Sequence, residues 1–169
     1  MLNENLVQVQ WAGDIGAMME NTGTDADTTI VESRYGQLSF ADEQMIQMSR
    51  GILGFPHLGS YGLAKLSNDT GAGNFILLQS LEQAEVAFPT VALDLKNTLI
   101  AEDDIMAVYK ELGIQPADGV VLCILTAREE NGQTLVTANL RAPVFIDTTR
   151  RLGWQMVLSN QSYPIRHQL

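Results

Sequence analysis

The sequence predicts a mainly β protein: a small antiparallel barrel-like or strongly bent sheet carrying one short α-helix. Three observations lead there. Short apolar or alternating runs recur along the chain, separated by Gly, Pro, Asn and Asp. A single stretch, 102–112, repeats its apolar residues at helical spacing. Asn131-Gly132 stands between two strand-like runs, where that dipeptide closes a two-residue hairpin. Strands that follow one another without alternating helices argue against a βαβ fold.

Residues 1–30 show no sustained period, contain Gly13, Gly16 and Gly23, and end in a polar Thr/Asp stretch. They are expected to form a flexible N-terminal tail. Within them Leu6-Val7-Gln8-Val9 alternates and suits a short strand. Residues 31–169 are expected to form a single domain, a length sufficient to bury a core. In that domain 34–40 alternates as a strand, with Gly36 a site for a bulge. Residues 41–44 form a polar turn, and 45–48 is expected to pair back. Gly51-Ile52-Leu53-Gly54-Phe55-Pro56 places two glycines around two aliphatics, which requires a tight backbone path. A strand is expected over 62–66, then a loop over 67–74. The Gly71-x-Gly73 in that loop follows no strong strand and opens no helix, so it reads as a hairpin loop and not as a phosphate cradle.

Phe75–Ser80 reads as a strand, and the next strand contains Pro89, which removes a ladder donor. The helix over 102–112 sets Ile105, Val108, Tyr109 and Leu112 on one face. Glu102, Asp103 and Asp104 crowd its first turn, where the dipole favours negative charge, and Gly113 provides the stop. Ala101 stands where a capping Ser or Thr is expected. Val120–Ala127 is wholly apolar over its first half and belongs at the centre of a sheet. Asn131-Gly132 then folds 133–140 back upon it. A second hairpin follows, from a strand over 144–147 through a polar loop to one in which Trp154, Met156 and Leu158 share a face, opposite Gln155 and Val157. Pro143 marks a strand start, and the C-terminal tail over 163–167 is expected to leave the last strand.

Charge and composition narrow the function classes. Hydrophobic residues make up 46% of the chain, which excludes wholesale disorder. Ten basic against twenty acidic residues give −10, so direct nucleic-acid or anionic-membrane binding is disfavoured and a basic protein partner favoured. Solubility alone accounts equally well for the acidity. No apolar run reaches membrane-spanning length and no basic-then-apolar leader opens the chain, so a cytoplasmic location is expected. The lone Cys123 sits in an apolar run and reads as a buried, inert thiol. With only His57 and His167, and no metal-ligand spacing, neither a metal nor a cofactor is implied, and the expected reading is a non-enzyme. A hydrolase built on Cys123 or His57 is the alternative with chemistry in it.

Particular words in the sequence go further. Thr137-Ala138-Asn139-Leu140-x-Ala142-Pro143, a Gln155-x-Val157-Leu158 run and Tyr163-x-x-Arg166 resemble the C-terminal signature of the flagellar assembly factor FliW family. Gly51-x-x-Gly54-Phe55 and Gln79-Ser80 followed by Ala87-Phe88 are similar to further family patterns. Leu77, where the family usually has an aromatic, and Pro89 depart from it. The resemblance covers about Arg34 to His167. It implies a cytoplasmic, non-enzymatic, barrel-like protein that binds the RNA-binding translational regulator CsrA and stops it repressing flagellin mRNA. It also implies flagellin binding, so that free flagellin releases the regulator. A flagellin chaperone or scaffold without regulator binding is the second reading. The protein is expected to be monomeric alone.

The residues proposed to face partners are Gln79, Phe88, Asp103, Asp104, Asn139 and Arg166. Four of them, Asp103, Asp104, Asn139 and Arg166, also have a structural reading. The acids complement the helix dipole. Asn139 bonds neighbouring backbone where a strand ends. Arg166 forms an internal ion pair in an acidic protein. For Ala142 and Pro143 the structural role is preferred.

Overall fold

The computed structural model describes residues 28–66, 75–93 and 99–169. Of the tail expected over 1–30, residues 1–27, with the alternating Leu6–Val9, lie outside the described residues, as does the loop over 67–74, and Thr28 to Ile30 belong to a strand. Among those described, eleven strands and one α-helix are found: β1 (Thr28–Ser33), β2 (Gly36–Ala41), β3 (Met45–Gln47), β4 (Ser60–Leu66), β5 (Phe75–Ser80), β6 (Ala87–Leu93), α1 (Glu102–Leu112), β7 (Gly119–Glu130), β8 (Gln133–Ala138), β9 (Val144–Asp147), β10 (Leu152–Gln155) and β11 (His167–Gln168).

Seven strands close a barrel in the order β7-β6-β5-β4-β3-β10-β9, and β9 returns to β7. Every pairing in the ring is antiparallel except β3 with β10, which meet in parallel at one position, Leu152 opposite Gln47. Closure depends on the length of β7. Its first half pairs with β6 and β9, and its second half leaves the barrel to pair with β8. The β7–β8 turn is Asn131-Gly132, both with positive φ (54° and 77°), as a type I′ turn requires. β1 and β2 form a separate hairpin.

Alternation along β7 explains its unbroken apolar run. Val120 and Leu122 point into the barrel with Ile46, Leu63, Ile76, Leu78, Val144 and Ile146. Val121 and Cys123 point outward, where Ile105, Val108 and Tyr109 of α1 cover them. The strand is therefore buried on both faces, which a half-buried pattern cannot supply. α1 ends at Gly113 in the left-handed conformation (φ 67°). Gly119 lies directly beneath the Tyr109 ring, with no room for a Cβ. Tyr109 in turn packs edge-on to Phe145, with centroids 5.9 Å apart.

Three local expectations change. Arg34 and Tyr35 form a turn, and Gly36 (φ 105°) opens β2 in place of bulging a continuous strand. Met45–Gln47 pairs forward with β4 and across with β10, not back onto β2. The tail does not simply leave the last strand, because His167 and Gln168 pair with β8. Pro89 is accommodated opposite Leu77, one residue before the first β6–β7 partner, Thr90.

Candidate protein-interaction surface

The residues singled out from the sequence divide into two groups. Asp103, Asp104, Asn139 and Arg166 belong to elements tied together at one end of α1. Ala101 offers no capping side chain, but its N–H donates to the Tyr163 hydroxyl at 3.0 Å. That hydroxyl donates to Asp104 Oδ2 at 2.5 Å. Tyr163 thus performs part of the missing cap's work from a distant segment. Burial and the Asp104 hydrogen bond raise the Tyr163 pKa. The same tail segment accepts the Leu140 N–H at the Pro164 carbonyl, 3.1 Å away. The Arg141 guanidinium reaches the Asn160 carbonyl at 3.2 Å.

Asn139 organises the turn between β8 and β9. Its Oδ1 accepts from the N–H groups of Arg141 (3.0 Å) and Ala142 (3.1 Å). The side chain is therefore committed to its own turn, as the backbone-bonding reading expected. Asp103 is exposed on the first turn of α1. Arg166 is exposed too, and no described residue bonds to it, so the internal ion pair expected of it is not formed. Beside it Ile165 is 64% exposed. The first turn of α1 therefore presents acids, and the segment bonded to it carries an exposed aliphatic and a guanidinium with no partner among the described residues.

Gln79 and Phe88 lie elsewhere and turn inward. Gln79 is fully buried, and its Nε2 donates to the carbonyls of Ser80, Ala84 and Val86. Ser80 Oγ accepts from the N–H groups of Glu82 and Gln83. Together they hold the 81–86 loop, and Gln79 has no surface left for a partner. Phe88 packs against Phe55 and Tyr61, with centroids 5.6 and 6.4 Å away, at the edge of the barrel core. Gln79 corrects the partner-facing expectation, because a residue that recurs in a pattern for loop construction looks the same in sequence as one that makes contacts, whereas Phe88 stays partly exposed at the barrel edge.

Sequence reading missed Gln155. Its Oε1 accepts the Leu53 N–H at 2.8 Å and its Nε2 donates to the Ala142 carbonyl at 3.0 Å. One amide thus links the Gly51–Phe55 turn to the Asn139 turn. Gly51 (φ 59°) is required there, since a Cβ would collide with the Phe55 and Leu58 carbonyl oxygens. The outcome is an exposed Leu53, at 62%, on a rigid turn.

Chemistry elsewhere is sparse. Cys123 is buried between barrel and helix, and burial pushes its thiol up to about 12, far from a thiolate at neutral pH. His57 is exposed on the loop before β4, outside the helix-side core that holds Cys123. Among the described residues no three His, Cys, Asp or Glu side chains gather as metal ligands. No described helix is long and apolar enough to cross a membrane.

The family model described as FliW protein matches residues 29–169. The chain belongs to the FliW family. Its relatives include the flagellar assembly factor FliW of Syntrophus aciditrophicus, 30% identical over 140 residues, covering 83% of this chain and 86% of that one. The FliW of Bacillus pumilus is 32% identical over 142 residues, covering 83% and 95%. The barrel matches a solved crystal structure of the flagellar assembly factor FliW with a TM-score of 0.60 and 25% identity, over 82% of this chain and 95% of that one. A role in flagellum assembly follows from this membership. The Asn139 turn, the Gln155 clamp and the Tyr163 cap are accordingly parts of a FliW frame.

Proposed function

We propose that the protein is a cytoplasmic, non-enzymatic regulator of flagellum assembly that binds a CsrA-type translational regulator and, in competition or exchange, flagellin. Free flagellin then releases the regulator, and flagellin level feeds back on translation of its own mRNA. The observation that supports this most directly is the frame at the N-terminal end of α1. It bonds Asp104, next to the exposed Asp103, to Tyr163 of the segment that carries an exposed Ile165 and an Arg166 with no partner among the described residues. Fixed charges beside an exposed aliphatic suit a protein interface. The net charge of −10 adds a general repulsion of RNA from any regulator this protein holds. If the RNA surface of the regulator is left uncovered, the antagonism is a coupling free energy, and RNA weakens this protein's binding by the same factor.

The test is an RNA band shift with purified regulator. The protein is expected to release RNA from the regulator, and added flagellin to restore the shifted band. Regulator–RNA complexes that persist at an excess of this protein, with flagellin still bound to it, leave the chaperone reading in its place. Reversing the exposed acid, Asp103→Lys, is expected to weaken regulator binding while the fold persists, with Asp104 left in place because it accepts from Tyr163.

A further inference from the structure

We propose that the open seam between β3 and β10 takes up an extended segment of a partner protein as an added strand. The proposal rests on the protein-binding reading above and names a second place where such binding happens. It starts from the direction of backbone groups. The Met156 N–H donates to the Pro143 carbonyl and the Leu158 N–H to the Arg141 carbonyl. Even-numbered residues after Leu152 therefore aim their main-chain groups at the strand leading into β9. Residues alternate, so Gln155 and Val157 aim theirs at the opposite side, toward β3.

On that side the neighbour is missing. β3 meets β10 only at Gln47 opposite Leu152, with the Gln47 N–H donating to the Arg151 carbonyl at 2.9 Å. Beyond Gln47 the chain turns away, as the Met48 N–H bonds to the Gly59 carbonyl and the Gly51 N–H to the Met48 carbonyl. The main-chain N–H and C=O of Gln155 and Val157 thus have no partner among the described residues. A cavity of about 450 Å³ opens where the strands part, lined among others by Met48, Pro56, His57, Leu152 and Trp154. Val157 and Leu53 are 57% and 62% exposed, and Gln155 holds the Leu53 turn against this segment.

Donors and acceptors that alternate at strand spacing beside exposed aliphatics are complementary to another extended backbone. A helix, whose own backbone groups are paired internally, cannot satisfy them. Nucleic acid is disfavoured by the charge of −10, which favours a segment rich in Lys or Arg with apolar residues at alternate positions. Glu82 is bonded to Gly59, a residue that lines the opening: its Oε1 receives the Gly59 and Ser60 N–H groups, and it has no ion pair among the described residues.

Amide hydrogen exchange by NMR tests this on the full chain, alone and with purified regulator or purified flagellin. In the free protein the Met156 and Leu158 amides are expected to be protected and those of Gln155 and Val157 to exchange fast. With the partner, the latter two become protected. Val157→Pro removes an outward N–H without touching a β9 bond and is expected to weaken that partner's binding about tenfold, while Val157→Thr, which keeps the N–H, costs less. If a partner binds while both amides stay exposed and Val157→Pro binds as the native chain does, the seam proposal is overturned and the function reading stands. If neither partner binds, the function reading fails, and a synthetic peptide of alternating Lys and Val decides the seam by protecting the two amides or leaving them bare. Protection that arises from concentration of the protein alone, with a doubled mass in solution, makes the occupant a second copy and also overturns the proposal.

Discussion

Replacing Gln79 separates loop construction from partner contact at a position the sequence marks as functional. The Gln79 amide donates to the carbonyls of Ser80, Ala84 and Val86 at 2.9, 3.1 and 3.1 Å. The Ala84 carbonyl has no other partner among the described residues, whereas the Val86 carbonyl also receives the Ser80 N–H. Gln79→Met keeps the volume and removes both amide protons. At about 1 kcal/mol net for each lost bond, with the cost of the orphaned Ala84 carbonyl offset by removal of Gln79 Oε1, which is buried without a hydrogen-bond partner, the loss comes to about 2 kcal/mol. Gln79→Glu is more informative. It turns a donor into a buried acceptor facing three carbonyls. A buried carboxyl is commonly shifted up by about two to three units, which adds about 3 to 4 kcal/mol of destabilisation at neutral pH. The sign follows from linkage. The folded state holds the proton on the introduced carboxyl more tightly than the unfolded state does. The variant therefore gains stability relative to the native chain as pH falls toward about 5. Urea unfolding followed by tryptophan fluorescence reads this as a midpoint lowered by roughly 1 to 2 M for Gln79→Met, since slopes are about 1–3 kcal/mol per molar. A Gln79→Met midpoint equal to the native one, or a Gln79→Glu variant indifferent to pH, refutes the assignment of Gln79 to the loop.

Further outcomes follow from contacts of the same kind. Gly119→Ala is expected to cost about 1–3 kcal/mol by forcing the Tyr109 ring off β7, measured as a lowered urea midpoint. Tyr109→Phe removes a buried hydroxyl that has no hydrogen-bond partner, so it is expected to be neutral or stabilising in the same assay. Arg150→Ala strips the guanidinium from buried Asp147 and from the Leu112 and Gly113 carbonyls at the end of α1; a loss of about 2–3 kcal/mol and faster amide exchange in the last helical turn are expected. The Gly59 and Ser60 N–H groups hold the Glu82 carboxyl below its ordinary 4.5, so its contribution is present above that value and lost as pH falls through the lowered one. Acid unfolding of Glu82→Gln is accordingly expected to be shallower than that of the native chain.

How much of this was legible in the sequence depends on whether a residue's role is local. The Asn131-Gly132 hairpin and the α1 stripe are local patterns, and each forms where its period and turn chemistry place it, while the strand expected over 154–158 is found as Leu152–Gln155, with Trp154, Met156 and Leu158 still sharing the helix-side core. Barrel closure is not local. It requires β7 to serve two sheets in succession and β3 to lie beside a strand more than a hundred residues away, and no short window encodes either. The same division separates the site residues. Asn139 acts on its own turn and was readable as such. Gln155 and Tyr163 act on Leu53 and on the start of α1, across 102 and 62 residues, and the sequence around them carries no sign of it.

The barrel's weakest joint follows from the same topology. An antiparallel ring of seven strands cannot alternate direction all the way round, because an odd number leaves one neighbouring pair pointing the same way. In this chain that pair is β3 with β10, joined at a single position. The mismatch leaves backbone groups unpaired beside Gln155 and Val157, at the place where the Gly51–Phe55 turn is clamped. Two of the patterns that mark the family in sequence, Gly51-x-x-Gly54-Phe55 and Gln155-x-Val157-Leu158, thus meet at the one seam that closure of an odd-numbered barrel cannot complete, and a partner strand there would finish what the chain itself leaves open.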